Sequence, residues 1–258
     1  MRHSMFAGGK RLRPILTVAA CEACGGDRAA AIPAGCAVEC IHTYSLIHDD
    51  LPCMDNDDFR RGRPTCHKVY GEAVALLAGD AFQPLAFEIL LRSRPGKCYG
   101  LADLVRELAE AAGSRWLVGG QVQDLEGEGR KLSLEKLRAI HEGKTMAMMT
   151  AALRLGGMCG GASGDQLEGL TRFGRALGLA FQVIDDILDV TQTSEKLGKT
   201  AGKDEKAEKS TYPSVLGLEE SRAEAHRLTA EALEAIAVFE ENGQRLAELA
   251  HHLLDREY

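Results

Sequence analysis

The chain has 258 residues, 45% of them hydrophobic, which is enough for one domain with a large core and does not call for a second. A formal net charge of −7, with no Arg/Lys-rich face interleaved with aromatics, argues against nucleic acid as a partner. No run approaches the ~20 consecutive apolar residues of a membrane span and the opening Met1–Pro14 lacks a secretory apolar core, so a cytoplasmic protein without a membrane span is expected. Ala, Leu, Glu and Arg dominate and apolar residues recur at three and four, so the fold class expected is all-α. A first helix is predicted over about 10–24, ended by Gly25 and Gly26, and a second from Pro33 in its first turn to about Asp50, stopped by Pro52. A third, over about 71–91, contains Pro84 and is expected to kink, with a Pro/Gly loop over 92–99. Helices follow over about 103–125, from Ser133 through Leu155, and over 164–191. A lysine-rich loop is expected over 193–210, and two amphipathic helices over about 212–258.

Eight cysteines are expected as free thiols. The pairs Cys21/Cys24 and Cys36/Cys40 have zinc-like spacing, but the same spacings fall on one helix face and the neighbouring Ala and Val suit packing.

Two acidic clusters carry the chemistry. The segment from His48 to Asp58 holds Asp49, Asp50, Asp55, Asn56, Asp57 and Asp58, followed at once by Arg60 and Arg61. So much like charge in one place is costly without a counter-charge, and carboxylate oxygens suit a hard cation such as magnesium. An EF-hand does not fit, since counting from Asp55 the sixth residue is Arg60 instead of Gly and the twelfth is Cys66 instead of Glu. A solvated acidic loop remains the plain alternative for this cluster alone. The second cluster, Gln182, Asp185, Asp186 and Asp189, lies in an otherwise apolar helix, where Asp185 and Asp189 fall within about 40° of each other.

Magnesium is usually held by one or two carboxylates plus phosphate oxygens, so two facing aspartate clusters imply a diphosphate between them. Lys10, Arg11 and Arg13, then Arg60 and Arg61, Lys144, Lys199 and Lys203 supply cations for charge-assisted bonds to it. Glycines precede Lys10, but the Walker pattern is absent.

Gly-Gly-Lys-Arg-Leu-Arg-Pro (8–14), Asp-Asp-Leu-Pro-Cys-Met-Asp (49–55) with Arg-Arg-Gly, Gly-Gly-Gln-Val-Gln-Asp (119–124), Lys144-Thr145, and Phe-Gln-Val-Ile-Asp-Asp-Ile-Leu-Asp (181–189) with Gly-Lys-Thr run in order along most of the chain. Together they resemble the trans-isoprenyl diphosphate synthases, most closely the farnesyl and geranylgeranyl diphosphate synthases. The resemblance implies an isoprenoid-synthase helical bundle around a central cavity, with the aspartate clusters on facing helices, and a single domain over 1–258. It implies that Asp49, Asp50, Asp55, Asp185 and Asp189, with Asp186 beside them, hold three magnesium ions, manganese being a possible substitute, on an allylic diphosphate. It implies isopentenyl diphosphate on Lys10, Arg13, His42 and Arg61, and the allylic diphosphate on Arg60, Lys199 and Lys203. Lys144, Thr145 and Gln182 would lie near the developing cation, the released diphosphate would take the final proton, and the chain would form a homodimer. His48 is expected to be structural, and Gln121 and Asp124 to serve packing or hydrogen bonding near the pocket, outside the site itself.

Chain length is expected to be set by Tyr44, five residues before Asp49, with the small Ser45 beside it. In the resembled family, bulk there stops growth at fifteen carbons, so farnesyl diphosphate is the expected product and geranylgeranyl diphosphate the alternative. Met146, Met148 and Met149 replace a Gly-containing pattern and change the pocket's shape. The family usually carries one or two more helices before the position of Gly8, so the mouth of the site is expected to differ. A non-catalytic partner subunit would lose aspartates from one cluster, and a terpene cyclase would not need the Gly-Gly-Lys-Arg and Arg-Arg sites for a second diphosphate. Both features are intact.

Overall fold

A computed structural model describes residues 1–191 and 210–254. Its elements are α1 (Arg2–Met5), α2 (Leu12–Ala23), α3 (Arg28–Asp49), a hairpin of β1 (Phe59–Arg60) and β2 (Arg63–Pro64), α4 (Cys66–Tyr70), α5 (Glu72–Leu90), α6 (Leu101–Ala112), α7 (Leu117–Gly127) and α8 (Leu134–His141). A π-helical turn (Glu142–Met146) runs into α9 (Ala147–Gly160). There follow α10 (Gly164–Thr191), α11 (Tyr212–Leu216), α12 (Leu218–Ala235), a 3₁₀ stretch (Ala237–Gly243) and α13 (Gln244–Leu254). The all-α expectation holds.

Several boundaries differ from the sequence reading: α9 runs on to Gly160, and 212–254 holds three helices and a 3₁₀ stretch where two helices were expected. Helix α3 starts five residues before Pro33, because the Asp27 carboxylate accepts the Ala29 N–H at 2.9 Å and caps it there. The helix expected over 103–125 is two helices, α6 and α7, broken at Gly113–Trp116. Ser133 caps α8 as expected, accepting from the Lys136 N–H, but the run to Leu155 passes through the π turn.

Helix α3 is the axis of the bundle, packing on α2, α5 and α9, while α10 packs on α9 and α12. Both α3 and α5 are long and apolar enough to cross a membrane by length and mean hydropathy (1.2 and 1.4). In α3 that apolar surface is core: Val38, Ile41 and Ile47 are buried together with Leu90, Leu104 and Met148. In α5 only one face is buried, through Ala75, Phe82, Ala86 and Leu90, and Val74, Leu76 and Leu77 are exposed. All eight cysteines are free thiols, with burial pushing Cys21 up to about 11 and Cys24 and Cys159 up to about 12, so these three are held as thiols at neutral pH.

Candidate active site

The C-terminal end of α3 presents Asp49, and the chain then folds back so that the Asp55 N–H donates to the Asp49 carbonyl at 2.9 Å. That return brings two carboxylates six residues apart to one wall of a cavity of about 760 Å³. Asp185 and Gln182, on α10, line the same cavity, as do Lys144 and Thr145 from the π turn. Thr145 Oγ1 donates to Gln182 Oε1 at 2.8 Å. The Lys144 ammonium sits 2.9 Å from Asp124 Oδ2 and 3.8 Å from Asp49 Oδ2. Burial works to lower its pKa, but Asp49 and Asp124 outweigh it and hold it above the usual lysine value. Burial raises the Asp49 carboxyl, with Asp55 adding to the rise and Lys144 opposing it.

The basic wall is built from three separate elements. The hairpin turns through Arg61 and Gly62, both at positive φ (56° and 72°), which is the two-residue geometry that matches strand twist. It sends the Arg61 guanidinium to the Gly8 carbonyl at 2.6 Å and lays it against Gly9, where an added Cβ would fall 2.4 Å from Arg61 Cζ. Arg13, from the first turn of α2, and His42, from α3, face the same space. Burial, then the neighbouring Arg13 and Arg61, push the His42 imidazole well below its ordinary value, so it is neutral at pH 7. Burial lowers Arg13 to about 10, and its Nε is buried without a hydrogen-bond partner. A buried guanidinium donor with no acceptor, next to a second guanidinium, fits an incoming anion.

Several predicted residues stand elsewhere. Asp50 is buried and taken by Arg60, whose Nε and Nη2 donate to its Oδ1 at 2.9 and 2.5 Å. Burial pushes its carboxyl up to about 6 against the pull of Arg60. Asp186 is one residue, or about 100°, round the helix from Asp185 and accepts the Tyr212 N–H at 2.9 Å. Asp189 is buried and Lys10 exposed, and neither lines the cavity. Lys199 and Lys203 lie outside the described residues. Arg60, Tyr44 and Ser45 are in the cavity wall as expected.

Of Gln121 and Asp124, expected beside the pocket, Gln121 lines the cavity with a buried Nε2 that has no hydrogen-bond partner, while Asp124 accepts from Lys144 next to it. The signal available in the sequence was the glycine pair before them. Gly120 and Gly143 let α7 and the π turn approach so closely that a Cβ on Gly120 would fall 2.5 Å from the Lys144 N. His48, expected to be structural, has its Nε2 3.0 Å from the Leu76 carbonyl and its ring edge-on to Tyr44, and it also lines the cavity. The cavity lining also has an apolar share, from Tyr44, Leu76, Leu117, Val118, Val122 and Met148 among others.

A divalent cation fits the acidic wall. The donors are carboxylate oxygens alone, and among the described residues no three His, Cys, Asp or Glu side chains form a closed cage. Such a site suits magnesium, which completes its shell with water and phosphate oxygens.

A helical bundle whose one cavity is lined by aspartates, by arginines and by apolar side chains suits a class of enzymes that handle diphosphates carrying long apolar chains. The polyprenyl synthetase family model matches residues 1–249, and the chain belongs to that family. It is 54% identical over 246 residues to the heterodimeric geranylgeranyl pyrophosphate synthase large subunit 1, chloroplastic, of Arabidopsis thaliana, an alignment that takes in 93% of this chain and 66% of that protein. It is 51% identical over 260 residues to the chloroplastic geranylgeranyl pyrophosphate synthase of Catharanthus roseus, covering all of this chain and 73% of the relative. Among solved structures, the Helicobacter pylori geranyltransferase complexed with magnesium and isoprenyl diphosphate superposes with a TM-score of 0.86 at 36% identity, over 98% of this chain and 86% of the other.

Proposed function

We propose that the chain is a magnesium-dependent trans-prenyltransferase that condenses isopentenyl diphosphate with an allylic diphosphate and releases diphosphate, with geranylgeranyl diphosphate as its final product. The observation that carries the reading is the lining of one cavity by aspartates, by arginines and by apolar side chains. Asp49, Asp55 and Asp185 would hold the ions, three of them when substrate is bound. Bound there, magnesium supplies neutralisation of the allylic diphosphate as it leaves. Arg13 and Arg61, with neutral His42 between them, receive the diphosphate of the isopentenyl substrate. The hydrogen-bonded Thr145 and Gln182 present oxygen dipoles, which stabilise positive charge without trapping it as a nucleophile would. No protein nucleophile is required.

Twenty carbons is favoured by the geranylgeranyl names of both plant relatives. The fifteen-carbon product expected from Tyr44 gains no specific support from them. It stays as the second reading, because the Tyr44 ring is buried in the wall one helical turn before Asp49. We also propose a homodimer, closed over the exposed Val74 and Leu77 of α5. The deciding experiment is incubation of purified protein with isopentenyl and dimethylallyl diphosphates, with and without magnesium, and mass spectrometry of the product. A magnesium-dependent twenty-carbon chain supports the proposal, a fifteen-carbon chain supports the Tyr44 reading, and no product from folded protein overturns both.

A further inference from the structure

The hairpin that carries Arg60 and Arg61 has two residues in each strand, Phe59 paired with Pro64 and Arg60 with Arg63. A two-stranded hairpin of that size does not hold itself in water, so what closes its base decides where the guanidiniums stand. Thr65 stands at that base, in the N-cap position of α4, and is 2% exposed. A threonine there normally accepts a backbone N–H from the first turn of its helix, yet Thr65 makes no such bond. Its Oγ1 lies 2.7 Å from the Asp57 carbonyl, and its N–H reaches the Asp58 carbonyl at 3.0 Å. His67 Nδ1 is 3.1 Å from the same hydroxyl oxygen, and His67 is 7% exposed. A carbonyl only accepts, so the one hydroxyl hydrogen goes to Asp57, and the bond to His67 is donated by Nδ1–H. The hydroxyl is thus held from both sides.

Other bonds reach the hairpin. Arg60 donates to Asp50, Arg61 donates to the Gly8 carbonyl, and His3 Nε2 lies 2.8 Å from the Pro64 carbonyl. The first two run through guanidiniums that line the cavity, on which a bound diphosphate would draw, and the third is exposed to water. The Thr65 bonds lie at a buried residue outside the cavity lining, so an anion bound in the cavity does not compete for them. We propose that Thr65 is a positioning residue: by closing the base of the hairpin through Asp57 and His67, it holds Arg61 in the basic wall that receives the diphosphate of the isopentenyl substrate. The inference rests on the prenyl-transfer reading of that cavity.

The test is calorimetric titration with inorganic diphosphate in EDTA, where no metal recruits the anion to the aspartates and the basic wall is read by itself. T65V keeps the side-chain shape and loses the hydroxyl, and it is expected to bind diphosphate at least about fivefold more weakly than wild type, because small displacements of a positioned group are costly. T65S keeps the hydroxyl and is expected to stay within about twofold of wild type. Because the effect runs through Arg61, adding T65V to R61Q should weaken binding by less than about twofold further. A T65V affinity equal to that of wild type overturns the inference, as does a T65S as impaired as T65V. So does a T65V loss of the same size in the R61Q background, which marks a general loss of structure. H67L removes the N–H that holds the hydroxyl oxygen and covers the case of a T65V that does not fold: a loss of at least about threefold supports the inference, and wild-type affinity overturns it. A wild-type chain that binds diphosphate in EDTA but yields no prenyl product would count against the prenyl-transfer reading and not against the role of Thr65.

Discussion

Lys144→Met tests how the acidic wall is held together before any metal arrives. The ammonium lies 2.9 Å from Asp124 and 3.8 Å from Asp49, distances that correspond to roughly 4 to 6 kcal/mol of attraction per pair at an effective dielectric of about 20. Taking the ammonium out of water offsets much of this. With the side chain 28% exposed, solvent screens more, so removing it while leaving two carboxylates facing each other should cost about 2 kcal/mol. In a chain of this size that is a fall of about 4 to 8 °C in Tm without metal. Removing a cation also makes the wall more negative, so magnesium binds in its place, and millimolar magnesium should close more than half of the gap. The assay is differential scanning fluorimetry of wild type and variant, each in EDTA and in magnesium. A Lys144→Met protein that melts within about 1 °C of wild type in EDTA, or that gains no more from magnesium than wild type does, would refute the reasoning.

Four further outcomes are expected. In metal-free protein the Asp50 carboxyl, raised to about 6 from an ordinary 3.8, is costly when ionised. Stability should therefore rise as pH falls from above 6 toward 4, and Asp50→Asn should remove that component from a series of urea melts. Arg13→Gln should raise the isopentenyl KM at least about tenfold with a smaller effect on the allylic substrate, as steady-state kinetics would read, because it removes a charged donor that has no protein acceptor. Tyr44→Ala should lengthen the product by mass spectrometry, and an unaltered product would move the floor of the cavity elsewhere. Gly79→Ala places a Cβ 2.1 Å from His48 Nε2, so it should break the His48–Leu76 contact and destabilise the fold by about 1 to 3 kcal/mol in the same melts.

Periodicity and punctuation in the sequence located most helices, because Gly25, Pro52 and Ser133 act within a turn of themselves. They missed the break at 113–116, where only Gly113 signals a stop, and the π turn, for which Glu142–Met146 carries no distinctive composition. Both acidic clusters were legible from charge density alone. Legibility ended at the question of which member of a cluster faces the cavity.

That question is settled by residues distant in sequence. Asp49 and Asp50 are adjacent, yet one lines the cavity and the other is claimed by Arg60, while Arg61 donates instead to the Gly8 carbonyl. Asp185 and Asp186 are separated in the same way, by a backbone N–H at Tyr212 and by the ring of His141. In each pair one carboxylate is held by a donor away from the main cavity while the other stands in the cavity lining. A helix brings neighbouring side chains about 100° apart, so doubling an aspartate supplies both an anchor and a ligand from one turn. Which of the two becomes the ligand is decided by the donor that reaches the other first.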